Sequence, residues 1–316
     1  MSPIEMLSAD RMQTARIGIV GAGAMGCLFA ARLAAAGADV TVVDVNAERL
    51  HLMSGEGIIL HDDNGRIAVP VRAVLASDLA GPLDLLIVFT KGMHSAAAIR
   101  SVAHLNDGRC LVLTLQNGLG NVEAISEVFE TGCILWGVTD FPADLEGPNA
   151  VASHGQGHIW LGGVDAAAHG HADAVAAMLN AGRLNAAVDP DVRIAVWEKV
   201  AFNAALNALS TITGLPVGGL DRPEGRRIAT QVLDETIATA LACGIAIDRD
   251  RLLAKMDFAL ANHRTHKPSM LQDRLAGRLT EIQSINGAIE KAAAQAGVDV
   301  PTTRLLADLV RMGEPA

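Results

Sequence analysis

Apolar residues in the first half of the chain come in short runs that alternate with Ala-rich stretches of helical period. The runs are Ile17–Val20, Val40–Val43, Ile67–Val74, Leu83–Phe89 and Leu111–Leu115. Strands alternating with helices require right-handed crossovers and predict a mostly parallel, doubly wound α/β sheet. The run Leu83–Phe89 is almost unbroken in its apolarity, as expected of a strand covered on both faces. Near Val151–Gly163 two short strands about a Gly-containing turn predict an antiparallel addition to that sheet. A helix over His169–Ala181 and a turn at Asp189-Pro190-Asp191 follow.

Beyond this turn the period is helical throughout, over Ile194–Thr213, Arg226–Cys243, Asp250–Asn262, Ser269–Ala276 and Thr280–Ala296. The pattern predicts a Rossmann-type domain over 16–190 and an all-helical domain over 191–316. With Glu5, Asp10 and Arg11 and no apolar core, residues 1–15 are expected to be a disordered leader rather than a signal peptide. A length of 316 residues suits two domains.

Composition narrows the function classes. The formal net charge of -10 offers no cationic field for a phosphate backbone, which argues against nucleic acid as the partner. Apolar residues make up 50% of the chain, yet no stretch reaches the roughly 20 residues of a membrane span. Cys27, Cys110, Cys133 and Cys243 form no C-x-x-C pair, so reduced thiols and a cytoplasmic location are expected. His154 with His158, and His169 with His171, lack further ligands nearby, and no metal is expected.

The strongest motif is Gly21-Ala-Gly23-Ala24-Met25-Gly26, which follows a predicted strand and opens a predicted helix over Ala24–Ala36. Gly21 suits a tight turn, Gly23 leaves room for a pyrophosphate, and Gly26 lets helix and strand approach. The helix N-terminus would hold the phosphate charge. Asp44 lies 18 residues after Gly26, where a carboxylate would accept ribose hydroxyls and favour NAD over NADP. Arg49 is close enough in sequence to offset that charge, and Asp44 can also be read as capping the helix that starts near Ala47.

Lys91 and Asn117 each follow a predicted strand, at the carboxyl ends of strands outside which open α/β sheets bind ligands. In the helical half, Lys199, Asn203 and Asn207 are four apart, each rotated only about 40° from the last, so they share one helix face. One ammonium and two amides on that face can hold a small anion or a carbonyl. Ser269 with Gln272, and Thr280 with Gln283, match capping boxes, which makes Ser269 a helix cap and Glu281 a first-turn acid by local rules.

Taken together these residues resemble the ketopantoate reductase (2-dehydropantoate 2-reductase) family. The resemblance runs from Arg16 onward and includes Gln116-Asn117-Gly118, the Lys199/Asn203/Asn207 stripe, Ser269-Met-Leu-Gln-Asp, Thr280-Glu281-Ile and Ile285-Asn286-Gly287. It implies reduction of the ketone of 2-dehydropantoate with NADP(H), a Rossmann domain facing a helical one across a cleft, and a role in pantothenate synthesis. It further implies Lys199 as general acid, Asn203, Asn207 and Ser269 as substrate contacts, and Glu281 as the partner of substrate hydroxyl and lysine. Lys91 and Asn117 would be cofactor-side residues, and a homodimer is left open.

An ordinary lysine, with a pKa of roughly 10.4, is protonated at neutral pH and can donate a proton to the oxygen of a carbonyl receiving hydride. Some features depart from the family pattern. Asp44 stands where an NADPH enzyme would carry a basic group, so NAD(H) stays open. His266 and Pro268 replace an Asn and a Ser of some relatives, and residues 137–144 are acidic. Two alternatives follow: an NADH-dependent 2-hydroxy acid dehydrogenase for another branched or aromatic (mandelate-like) substrate, and a non-catalytic dinucleotide sensor.

Overall fold

The computed structural model describes residues 14–315, which divide into two compact units: 14–116 with 121–192, and 117–120 with 193–315. The expected leader lies largely outside the described residues. Its last residue, Ala15, is not leader-like: it is buried, and its carbonyl accepts the Asp39 N–H at 2.9 Å.

In the first unit the chain runs through β1 (Arg16–Val20), α1 (Ala24–Ala35), β2 (Asp39–Val43), α2 (Ala47–Glu56), β3 (Ile58–Asp62), β4 (Gly65–Val69) and β5 (Arg72–Val74). It continues through β6 (Leu85–Val88), α3 (Ser95–Ser101), β7 (Leu111–Thr114), α4 (Asn121–Ser126), β8 (Ile134–Thr139), β9 (Asp144–Leu145) and β10 (Ala150–Ser153). Last come β11 (Ile159–Gly163), α5 (Ala166–His169), α6 (Ala172–Ala181) and β12 (Ala186–Val188).

The main sheet has eight strands in the order β12-β11-β8-β7-β6-β1-β2-β5, all neighbours parallel except β11 against β8. All four residues of β6 and all four of β7 are buried, as a sheet covered on both faces requires. From β1 the chain moves to β2 on one side and returns to β6 on the other. The carboxyl ends of β1 and β6 therefore meet at a topological switch point, the place where α/β sheets bind ligands. Helix α1 is buried almost all round, with Cys27, Leu28, Phe29, Ala30, Ala31 and Leu33 in the core under the sheet.

Several expectations need correction here. Ile67–Val74 is not one strand: Pro70, which has no N–H to give a ladder, separates β4 from β5, and the two join different sheets. The strands around Val151–Gly163 do not pair with each other. β10 lies parallel to β3 in a separate four-stranded sheet (β4-β3-β10-β9), whereas β11 is the antiparallel addition to the main sheet. The helix expected over His169–Ala181 starts at Ala172, and His169 is the last residue of α5, which is capped at Gly170. The sequence reading left out β3, β8, β9 and β12.

The second unit contains α7 (Val192–Thr213), α8 (Pro223–Ala242), α9 (Arg249–Asn262), α10 (Ser269–Leu275), α11 (Asn286–Ala296) and α12 (Pro301–Met312), with no strand among its described residues. Helix α8 packs against α9, α11 and α12. Its buried Glu235 reaches the start of α12, accepting the Thr302 and Thr303 N–H groups at 3.0 and 2.8 Å and the Thr303 hydroxyl at 2.7 Å. Orphan donors of a helix N-terminus are thereby satisfied by a carboxylate from another helix.

The predicted helix over Thr280–Ala296 starts only at Asn286. Residues 281–285 are a turn, because the Thr280 hydroxyl accepts the Ile282 N–H at 3.2 Å while the Thr280 N–H goes to Glu314. Neither capping box forms. Pro268 is the N-cap of α10, Ser269 is the first helical residue, and the Gln272 amide donates to the Lys267 carbonyl at 3.0 Å. Among the described residues no helix is long and apolar enough to cross a membrane.

Candidate functional site

At the carboxyl end of β1 the glycine turn is held by two close backbone approaches. Gly21 has φ +104°, and a Cβ there would lie 2.7 Å from the Thr90 nitrogen. A Cβ on Gly26 would stand 1.9 Å from the Gly21 carbonyl oxygen. Only glycine permits either approach. Gly23 differs, since a Cβ on it would meet nothing within 4 Å. The open space at Gly23 is a cradle in front of the α1 N-terminus.

The helix's first internal bond is Cys27 N–H to Gly23 O at 2.9 Å, so the N–H groups of Ala24, Met25 and Gly26 precede the hydrogen-bond ladder. This donor set fits the phosphates of a dinucleotide.

The carboxylate of Asp44, just past β2, accepts the Ala22 N–H at 2.8 Å through Oδ2. Through Oδ1 it accepts the N–H groups of Val45 at 2.8 Å and Asn46 at 3.1 Å. Asp44 is not the cap of α2; that is Asn46, whose side chain accepts the Arg49 N–H at 3.1 Å. The Arg49 guanidinium donates to the carbonyls of Ala22 at 2.6 Å and Pro148 at 2.7 Å. It lies over Cys27, whose thiol burial pushes up to about 11, so that it stays protonated at neutral pH.

Lys91 follows β6 and is half-buried, preceding a single 3-10 turn at Gly92–His94. Its loop is tied down by Gln116, which the sequence reading had only as Asn117's neighbour. The Gln116 amide donates to the Thr90 carbonyl at 2.5 Å and to the Ser95 hydroxyl at 2.7 Å, while its oxygen accepts from Thr114 at 3.0 Å. Ser95 passes the chain on to Asn121 at 3.0 Å. No local pattern signals this cluster, since its members lie on two stretches, 90–95 and 114–121, that meet only when β6 and β7 pair.

In the second unit α7 is continuous, so Lys199, Asn203 and Asn207 share a face as their spacing predicts. Lys199 and Asn203 are half-buried and Asn207 is buried. The flank of that face is held by α9: Arg251 pairs with Glu198, and the Lys255 ammonium sits 5.6 Å from the centre of the Phe202 ring. Residues 117–120 pack with this unit. The Asn117 amide donates to Glu281 Oε2 at 3.2 Å, and the Leu119 N–H donates to the Ser284 carbonyl at 2.8 Å. Gly118 is held so close that a Cβ would lie 2.1 Å from the Ser284 oxygen.

The structure thus brings the glycine turn and Asp44 together in one unit, with Lys91 at the adjoining strand end, and Asn117 and Glu281 in the other. Ser269 is exposed in the first turn of α10. Glu314, absent from the sequence reading, accepts from Thr280, the residue before Glu281. No cluster of three or more His, Cys, Asp or Glu side chains among the described residues has the arrangement of a metal site.

Comparison with known proteins matches residues 17–166 to the family model "Ketopantoate reductase PanE/ApbA" and residues 191–314 to its C-terminal counterpart. The 2-dehydropantoate 2-reductase of Halobacterium salinarum is 30% identical over 302 residues, covering 95% of this chain and 99% of that one. The structure of 2-dehydropantoate 2-reductase from Geobacter metallireducens aligns with a TM-score of 0.86 at 32% identity, over 94% of this chain and 99% of that one. D-mandelate dehydrogenase, solved with NADH and anilino(oxo)acetate, aligns with a TM-score of 0.90 at 28% identity, over 94% and 98%.

Proposed function

We propose that this chain, which belongs to the ketopantoate reductase family, reduces 2-dehydropantoate to pantoate with a nicotinamide dinucleotide. The observation that carries the reading is the Asn117–Glu281 hydrogen bond, formed in the same unit as the Lys199, Asn203 and Asn207 face. It sets an amide against a buried carboxylate in the unit that also carries the ammonium and amides of that face, the groups needed to hold a 2-keto acid and protonate its ketone.

The nicotinamide, when bound, supplies hydride to the carbonyl carbon. Lys199 Nζ gives its proton to the carbonyl oxygen, so the ketone gains one hydride and one proton and becomes a secondary alcohol. A positioned general acid of this kind contributes about 10²–10⁴-fold. Asn203, Asn207 and Ser269 donate to the substrate carboxylate and hydroxyl, and Glu281 accepts from the substrate hydroxyl and orients the lysine. The α1 N-terminus, with Gly23, Ala24, Met25 and Gly26, receives the dinucleotide phosphates, and Lys91 and Asn117 serve the cofactor side.

For the cofactor the reading favours NADH. The Asp44 carboxylate has about four acceptor positions. Three are taken by backbone N–H groups, which fixes it to accept a ribose hydroxyl. Arg49, the nearby cation, is committed to two backbone carbonyls.

A second reading, an NADH-dependent dehydrogenase for an aromatic 2-hydroxy acid, draws on the same Asp44 geometry and on the likeness to D-mandelate dehydrogenase. Steady-state assays with NADH and NADPH against 2-dehydropantoate and phenylglyoxylate separate the two. Highest kcat/KM on 2-dehydropantoate supports the first reading, and highest on phenylglyoxylate the second. Cofactor oxidation with neither substrate contradicts both.

A further inference from the structure

The turn that carries Glu281 is short, irregular and pinned at both ends. At its far end the Ser284 carbonyl accepts the Leu119 N–H at 2.8 Å. At its near end stands Thr280, only 2% exposed, whose N–H and hydroxyl both donate to the same oxygen of Glu314, at 2.8 and 2.6 Å. The hydroxyl distance is that of a charge-assisted bond.

Glu314 is itself placed by α12: its N–H donates to the Arg311 carbonyl at 3.2 Å, and the preceding Gly313 N–H donates to Val310 at 2.9 Å. Beside this contact lies a cavity of about 270 Å³, bordered by Thr211, Arg274, Arg278, Thr280 and Glu314. Thr280 borders that space, and on that side the two hydrogen bonds to Glu314 hold it.

We propose that Glu314 is a positioning residue for Glu281, acting through Thr280. Its carboxylate fixes the backbone one residue before Glu281, and so sets the angle at which Glu281 meets Asn117 and the substrate. Glu314 touches no reacting atom in this scheme. The inference rests on the reading of Glu281 as part of the substrate site.

A double-mutant cycle on the purified full chain tests it, with the 2-keto acid turned over best and with NADH. Glu314→Ala is expected to lower kcat/KM for the keto acid roughly 10- to 100-fold, the scale of an ångström misplacement at a reacting centre. KM for the dinucleotide should stay within about twofold, because the glycine turn is not involved. Glu314→Gln keeps an oxygen that accepts from Thr280 and should recover most of the rate. In a Glu281→Gln background, Glu314→Ala should cost less than about twofold, since effects through one group do not add.

A near-wild-type Glu314→Ala enzyme, or a loss that adds in full to that of Glu281→Gln, overturns the inference and leaves the site reading standing. A Glu281→Gln enzyme as fast as wild type instead overturns the site reading. Should Glu314→Ala lack the far-ultraviolet circular dichroism of the folded chain, Thr280→Val decides. It removes one of the two donors, and an unchanged keto-acid kcat/KM in that variant overturns the proposal.

Discussion

Asn117 and Glu281 are 164 positions apart in sequence, yet the amide of one donates to the carboxylate of the other at 3.2 Å. The bond joins the segment after β7 to the turn before α11 inside one compact unit. Glu281 is buried, so its carboxylate depends on such donors in place of water. Asn117→Ala should therefore lower kcat/KM about 10- to 100-fold, the equivalent of the roughly 1.5–3 kcal/mol of a hydrogen bond to a charged group. Asn117→Asp, which sets a second carboxylate beside the first, should lower it further. Steady-state kinetics of the two variants check the order wild type, Ala, Asp.

The glycines at 23 and 26 separate binding from folding. A methyl at Gly26 would collide with the Gly21 carbonyl oxygen, whereas one at Gly23 meets open space. Gly26→Ala should lower the melting temperature and weaken dinucleotide binding together. Gly23→Ala should keep the wild-type melting temperature and still raise the NADH Kd by about tenfold or more, equivalent to roughly 1.4 kcal/mol. Fluorescence titration beside thermal melting distinguishes them; tight NADH binding by Gly23→Ala would remove the phosphate cradle from the account.

The proposed preference for NADH rests on the charge of Asp44. Asp44→Asn keeps a side-chain oxygen for the Ala22 N–H but removes the negative charge that repels a 2′-phosphate. The ratio of kcat/KM for NADPH over NADH should rise by about tenfold, the effect of roughly 1.4 kcal/mol. An unchanged ratio would place the selectivity elsewhere.

Glu235 gives the helical unit an acid limit. Burial pushes its carboxyl up, but the Thr302 and Thr303 donors outweigh burial and hold it below the ordinary glutamate range. A folded-state pKa below the unfolded one adds stability above the unfolded value, near 4.3 for an ordinary glutamate, and that stability is lost as pH falls through the lowered folded value. Thermal melting should be flat in this respect from about pH 6 to 7 and fall on acidification below about pH 4. Glu235→Gln should be less stable at pH 7 by about 1–3 kcal/mol and show a shallower acid dependence. Equal acid dependence in the two proteins would contradict the assignment.

What could be read from the sequence followed from local patterns. The strand, Gly21-to-Gly26 turn and helix are contiguous, and the positions of Lys199, Asn203 and Asn207 follow from helical period alone. The failures have physical causes. Pro70 lies inside an apolar run whose pattern continues across it, although the strands on its two sides belong to two sheets. Thr280 with Gln283 satisfies a capping pattern, but Glu314 takes the Thr280 N–H and a turn forms.

Helix α12, absent from the elements expected above, carries a legible signal in Pro301 at its start and in Thr303, Leu306, Ala307 and Val310, buried at helical spacing. The Gln116 cluster and the Glu314 contact join distant segments, which no short window contains.

Lys199 is the centre of the account, and its removal is the most direct measurement. Lys199→Ala, assayed by single-turnover reduction of 2-dehydropantoate with saturating NADH, should react about 10²–10⁴-fold more slowly than wild type while binding NADH with unchanged affinity. A variant that keeps the wild-type single-turnover rate would contradict Lys199 as the proton donor.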